Sequence, residues 1–466
     1  MNTYRSRSNV QKLNQVILAG FLAVALALVF WNVLRASLIL AREDNPRLVE
    51  AALRIQRGRI LDRNGVVLAE TVGPPDALAR VYPIANVGPA VGYYSFRHGT
   101  SGVEESFDAT LRGDSDNFWA DFIRRSLHQA QVGQDVELTL DAGLQQTADT
   151  LLGRQTGAVI LLGLSAESAG RPVAEILALA SHPGYDPNQL DERFDELTDD
   201  ENAPLLNRVT QGQYQPGLVL QPFLIAEALD QNLIHLGETV AGANRPVLVN
   251  DTVTRCSDEP PDTVTWSDVL DYRCPGPMID LANRLGVSGL DNVFADFGFR
   301  NQPRLALNTA APIVEPVTDP LLAGVGQENL TVTPLQVSLA WAALAMDGRL
   351  PDPQLVTAVD GAIVEDATLG QDSDEENQDN GDEVPSEVIT AATARTLRLA
   401  LPRHENVAEY SIRVLSGPEE SLNGWYLGMT PVSSPRYVVV VVVENISDFT
   451  AAEQVGRALL AAALEP

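Results

Sequence analysis

From Leu13 to Leu34 the chain reads LNQVILAGFLAVALALVFWNVL and carries no charge. That is about the length, roughly 20 apolar residues, that a helix needs to cross the hydrocarbon core of a bilayer. Arg5, Arg7 and Lys12 precede the run without an acidic residue, whereas Arg42, Glu43, Asp44 and Arg47 follow it with mixed charge. The positive-inside rule then predicts a cytoplasmic tail at 1–12, a single transmembrane helix at 13–34 and a large extracytoplasmic remainder at the cell membrane. A cleaved signal peptide would show a shorter apolar region closed by an A-x-A site, which this segment lacks.

The remainder is long enough for two or three domains, since the chain has 466 residues of which 45% are hydrophobic. A formal net charge of −30 argues against a nucleic-acid partner, because phosphate backbones need a clustered basic surface. Lys12 is the only lysine, and every other fixed positive charge is an arginine. The two cysteines, Cys256 and Cys274, fall in the expected external part, where thiols can oxidise. They form either a disulfide across a short loop or two buried free thiols, and spacing alone does not decide between these. His98, His128, His182, His235 and His404 show no metal-ligand spacing, and no cofactor is expected.

Along the chain, RGRILDRNGVVLAE reads as strand, Asn-Gly turn, strand. It opens a juxtamembrane and pedestal module over 35–135. Asp135 to Leu140 alternates as a strand and leads into a helix with Asp141 as N-cap. Two apolar runs, GAVILLGL and VAEILALAS, flank a small-residue turn at Ser165 and predict adjacent antiparallel strands. TPLQVSLAWAALAMDG is apolar nearly all round, as a helix inside a large core should be. WYLGMTP and RYVVVVVVEN predict neighbouring central strands, and TAAEQVGRALLAAALE a closing helix. Residues 361–387 are acidic and without a basic residue, which predicts a solvated loop; their spacing lacks the glycine and terminal glutamate of an EF-hand. The expected class is α+β, an antiparallel sheet flanked by helices.

In this order the segments resemble the class B penicillin-binding proteins, membrane-anchored D,D-transpeptidases that cross-link peptidoglycan. RGRILDRNG is similar to their pedestal motif, YYSFRHGTSGVEESFDATLRG to the segment that follows it, and EILALASHPGYDPN with PLLNRVTQGQYQPG to the approach to their nucleophile. LTVTPLQVSLAWAALAMDGRLPDPQLV is similar to a late helix of the same domain. The resemblance implies the penicillin-binding transpeptidase fold over 136–466, behind a pedestal, or dimerisation-like, module.

Such enzymes build their site from S-x-x-K, S-x-N and K-T-G. The serine needs an adjacent base to act as a nucleophile, and a lysine in a dry pocket can be neutral enough to serve. In PGLVLQP the nucleophile position is Leu218 and the lysine position Gln221. A leucine has no lone pair, and an amide is not a base in this range. No serine occurs between Ser181 and Ser257, so no small slip in register supplies one, and Thr210 lies in the preceding loop without a partner base. At the second motif Arg273 and Pro275 take the outer positions around Cys274. At the third, Leu415, Ser416 and Gly417 retain only the glycine. With Lys12 on the expected cytoplasmic side, neither family lysine exists in the external part.

The resemblance therefore implies a degenerate transpeptidase acting in peptidoglycan biogenesis or cell division as scaffold or regulator. Its implied partners are a polytopic glycan polymerase and division or elongation proteins. Two alternatives are carried with it. One is non-covalent binding of a muropeptide stem or β-lactam, with Arg273 as ligand anchor, since a carboxylate needs charge-assisted donors. The other is an active D,D-transpeptidase working by a different route. Arg57, Arg59 and Arg63 are expected to serve the pedestal fold rather than anionic lipid.

Overall fold

Six consecutive valines, Val438–Val443, are all buried. Strand side chains alternate between faces, so a run apolar at every position must be covered on both. The computed structural model shows the two covers. Val438, Val440 and Val442 join a large core that contains Trp341, Leu344, Phe223 and Trp425. Val439, Val441 and Val443 join a second core with Leu152, Leu459 and Leu460. The first core is supplied by the helices Gln221–Asp230 and Pro334–Ala345, the second by Ala142–Leu152 and the closing helix Ala451–Leu464.

The structure describes residues 3–30, 54–74, 77–114, 127, 130–168, 171–249, 252–313, 315–363, 387–416, 421–448 and 450–465. Residues 56–72 and 80–466 form one compact unit and residues 1–55 with 73–79 another. In the smaller unit Thr3–Val29 is an α-helix, with the side chains from Lys12 to Leu28 exposed. Residues 31–34 of the expected span and most of the expected juxtamembrane helix lie outside the described residues. Among the described residues no helix is long and apolar enough to cross a membrane.

In the larger unit the central sheet has seven strands. Their order is Asp352–Gln354, Arg171–His182, Gly157–Ser168, Tyr437–Val443, Ser421–Thr430, Val407–Ser416 and Arg403–His404. The two apolar runs expected to flank Ser165 pair antiparallel as predicted, but Ser165 lies within the first strand, opposite Val173, and pairing continues to Ser168–Arg171; the strands containing the WYLG and valine segments are antiparallel neighbours. One departure is Asp352–Gln354, which runs parallel to Arg171–His182. The helix Pro334–Ala345 is buried along its whole length. Its start is fixed by a reciprocal capping box, in which Thr333 Oγ1 accepts from Gln336 N and Gln336 Oε1 accepts from Thr333 N.

Strand pairing in the pedestal sheet crosses the expected boundary at 135/136. Val136–Leu138 pairs parallel with Ile60–Leu61 on one side and antiparallel with Val356–Val359 on the other. Ala362–Ile363 adds a further strand inside the stretch expected to be loop; residues 364–386 of that stretch lie outside the described residues. The Asn64-Gly65 turn joins Ile60–Leu61 to Val67–Val72, with Gly65 at φ 81°, where glycine is favoured.

The pedestal is organised around Glu104, which is fully buried. It accepts from Arg57 Nη2 at 2.8 Å, Arg80 Nε at 2.6 Å and Tyr82 OH at 3.2 Å. Asp108 takes Arg57 Nη1 at 2.5 Å, so the buried charges are paired, with Arg80 Nη2 left without a hydrogen-bond partner among the described residues. Arg59 pairs with Asp135 and Arg63 with Glu175. All three pedestal arginines are thus engaged in the fold.

Candidate functional site

The loop leading to position 218 is held by backbone contacts that glycine alone permits. Gly217 N donates to Gly326 O at 2.9 Å, and both glycines have positive φ, 51° and 66°. A Cβ on Gly326 would stand 2.1 Å from Gly217 O, and one on Gly217 would stand 2.5 Å from Val414 Cγ1. This approach presses the 3₁₀ turn Gly217–Leu220 against the strand Val407–Ser416. Leu218 on that turn is 7% exposed, and the helix Gln221–Asp230 begins directly after it.

Gln221 is fully buried, and both ends of its amide are engaged. Its Nε2 donates to Cys274 O at 3.1 Å, and its Oε1 accepts from Tyr410 OH at 2.7 Å. Tyr410 OH also lies 3.1 Å from Leu218 O. Burial pushes the Tyr410 phenol up, with Arg273 opposing, so this hydroxyl is a donor and not a base. The first- and second-motif positions are therefore joined by neutral hydrogen bonds that tie helix, loop and sheet together.

Cys274 caps the helix Pro275–Asp296 and is joined to Cys256 by a disulfide. Arg273 terminates the preceding helix, Trp266–Tyr272, in the left-handed region. Its Nη1 donates to Asp258 at 3.1 Å and to Asp271 O at 3.0 Å. Pro275 lines the cleft, whereas Arg273 is not among its lining residues, so its position gives the expected anchor role no support. At the third motif Leu415 lines the cleft and its carbonyl accepts from Gln327 Nε2 at 3.4 Å. Ser416 pairs with Ser421 at the strand end; Gly417 lies outside the described residues.

The cleft itself has a volume of about 290 Å³. Leu218, Pro275 and Leu415 meet there, with Val249, Val325, Ile412, Val414 and Leu422 completing an apolar lining. Its polar side comes from a segment that sequence reasoning did not single out. Thr252, Thr254, Arg255 and Ser257 form one wall, and Gln327 and Arg413 stand in the others. The Cys256 in that wall was the only available signal. No Lys, His, Asp or Glu lines the cleft among the described residues. The hydroxyl-bearing residues Thr252, Thr254 and Ser257 are thus without a cleft-lining base among the described residues, and the lining is apolar apart from these, Gln327 and two arginines. Thr210 is buried away from it, with Oγ1 lacking a hydrogen-bond partner among the described residues.

Comparison with known proteins agrees with this architecture. The penicillin-binding protein transpeptidase domain matches residues 173–461, and the penicillin-binding protein A dimerisation domain matches 57–136. The peptidoglycan D,D-transpeptidase PbpA of Mycolicibacterium smegmatis is 26% identical, covering 90% of this chain and 91% of that protein. PbpA of Mycobacterium tuberculosis is also 26% identical, covering 98% and 99%. The structure of penicillin-binding protein A from M. tuberculosis as an imipenem acyl-enzyme superposes with a TM-score of 0.75 at 24% identity, covering 90% of this chain and all of that one. The transpeptidase match spans well over half of the residues and the pedestal match lies immediately before it, so the chain belongs to the penicillin-binding protein transpeptidase family.

Proposed function

We propose that this protein is a non-catalytic member of its family, a membrane-anchored scaffold or regulator of a peptidoglycan glycan polymerase. The observation that carries the reading is the lining of the cleft: Leu218 stands at the nucleophile position, Gln221 is occupied by structural hydrogen bonds, and among the described residues none that could act as a base faces the space. Activation of a serine requires such a base within hydrogen-bond reach. The anchoring is supported by the exposed apolar side chains of the helix Thr3–Val29, Leu18 and Phe21 among them, since a soluble chain would bury such a surface. The intact pedestal, with its buried Glu104 cluster, supports a retained interaction role.

The direct test is labelling with a fluorescent penicillin, beside M. tuberculosis PbpA as positive control. The expected result is no covalent band from this chain under conditions that label the control. A band that survives denaturation would overturn the reading. The partner half is tested separately, by replacing residues 1–34 with an unrelated anchor. Co-purification with a polytopic glycan polymerase should fall, and unchanged co-purification would remove this support for a scaffold.

Arg255 in the cleft lining favours a second reading, non-covalent retention of a stem peptide or β-lactam through its carboxylate. A rise in melting temperature with such a ligand, lost in Arg255→Ala, is the result that would distinguish it.

A further inference from the structure

The disulfide Cys256–Cys274 is asymmetric. Cys274 is fully buried at the start of the helix Pro275–Asp296, whereas Cys256 is half-buried and lines the cleft. Exchange proceeds by attack of a thiolate on one sulfur, and access together with the quality of the leaving thiolate decides which sulfur is attacked. Access points one way here. The cleft leads a small molecule to Cys256, whereas Cys274 has no exposed surface.

We propose that Cys256 is a thiol-exchange site, at which a small-molecule thiol entering the cleft forms a mixed disulfide while Cys274 leaves. The attacking thiolate forms a bond to Cys256 Sγ as the Cys256–Cys274 bond breaks. The electron pair goes to Cys274 Sγ, which takes up the proton released by the incoming thiol, so the number of disulfides is unchanged. The adduct occupies the cleft beside Leu218 and Leu415. It also releases the wall Thr252–Ser257 from its covalent tie to the helix, leaving the Ser257 N to Tyr272 O hydrogen bond and the Arg273–Asp258 pair. Cleft occupancy thereby responds to the thiol content of the surrounding medium. This goes beyond the scaffold reading and does not depend on it.

The test uses the full-length chain and N-acetylcysteine, quenched with N-ethylmaleimide in guanidinium. Arg255 and Arg273 directly precede the two cysteines, so trypsin separates them into peptides 256–273 and 274–284. The expected product carries the N-acetylcysteine mass on 256–273 and the maleimide on 274–284. The reverse distribution, or persistence of the linked peptides, overturns the proposal. A second measurement compares single variants with 5,5′-dithiobis(2-nitrobenzoate). In folded protein the Cys256 thiol of Cys274→Ser should react at least tenfold faster than the Cys274 thiol of Cys256→Ser, and the difference should vanish in guanidinium. Equal rates in folded protein would also overturn it. Should either variant fail to fold, the mapping on the natural chain decides alone.

Discussion

At position 221 the family chemistry asks for an ammonium and this chain supplies an amide whose donor and acceptor are both in use. An amide can accept from Tyr410 while donating to Cys274 O; an ammonium only donates. Gln221→Lys therefore removes the acceptor that Gln221 Oε1 offers the Tyr410 hydroxyl and places a charge in a fully buried site, with no carboxylate lining the adjoining cleft among the described residues. Leu218→Ser removes buried apolar volume at the same turn, a change of the kind that costs about 2–5 kcal/mol. An unmet buried hydrogen-bonding group adds about 1–3 kcal/mol. The double variant Leu218→Ser with Gln221→Lys should accordingly melt several degrees below the natural chain in calorimetry. Melting at or above the natural temperature would show that the turn does not depend on these two side chains. The residue types alone already placed a leucine and a glutamine at the positions expected for nucleophile and lysine; what they could not reveal is that Gln221 bonds to Tyr410, a residue far along the chain brought there by the sheet.

The helix that begins at Gln221 also carries Glu227, which is 9% exposed and faces the end of the helix Pro275–Asp296. Burial pushes the Glu227 carboxyl up; the hydrogen bond from Gln231 works against this, and Asp296 and Asp230 add to the rise. Burial raises Asp296 as well. For a carboxyl raised on folding, the folded state binds more protons than the unfolded state between the ordinary value, about 4.3, and the raised one. Its ionisation therefore destabilises the fold at neutral pH, and the penalty is relieved as pH falls through that window. Glu227→Gln should raise the melting temperature at pH 7, with the gap from the natural chain narrowing toward pH 4.5. A variant no more stable at pH 7, or a gap independent of pH, would contradict this account. At this scale the sequence was readable where an element is buried on every side: the all-round apolar helix 334–345 and the valine strand follow from apolar runs that lack alternation. The cleft wall Thr252–Ser257 was not, because among the described residues its short strand pairs with Val247–Val249 alone and shows too little alternation to mark a buried face.

Across the whole molecule, the order of the segments revealed the fold class, and a census of lysine excluded the family's two lysines from every residue after Lys12 without any alignment at the least secure motif. The division between modules was hidden, because strand pairing between distant segments leaves no local trace. Val136–Leu138 lies between Ile60–Leu61 and Val356–Val359, so a cut after residue 135 removes the neighbour of the first pedestal strand, and residues 352–359 serve both sheets in turn. Residues 56–72 and 80–466 form one compact unit, and strands this short are marginal when isolated. A fragment of residues 54–135 should therefore lack a cooperative thermal transition by circular dichroism and be digested rapidly by protease, whereas residues 54–466 should melt in a single transition. A folded, protease-resistant 54–135 would mean that the Glu104 cluster suffices to hold the pedestal without its strands from the later chain. Two transitions in 54–466 would mean that the shared sheet does not couple the two modules.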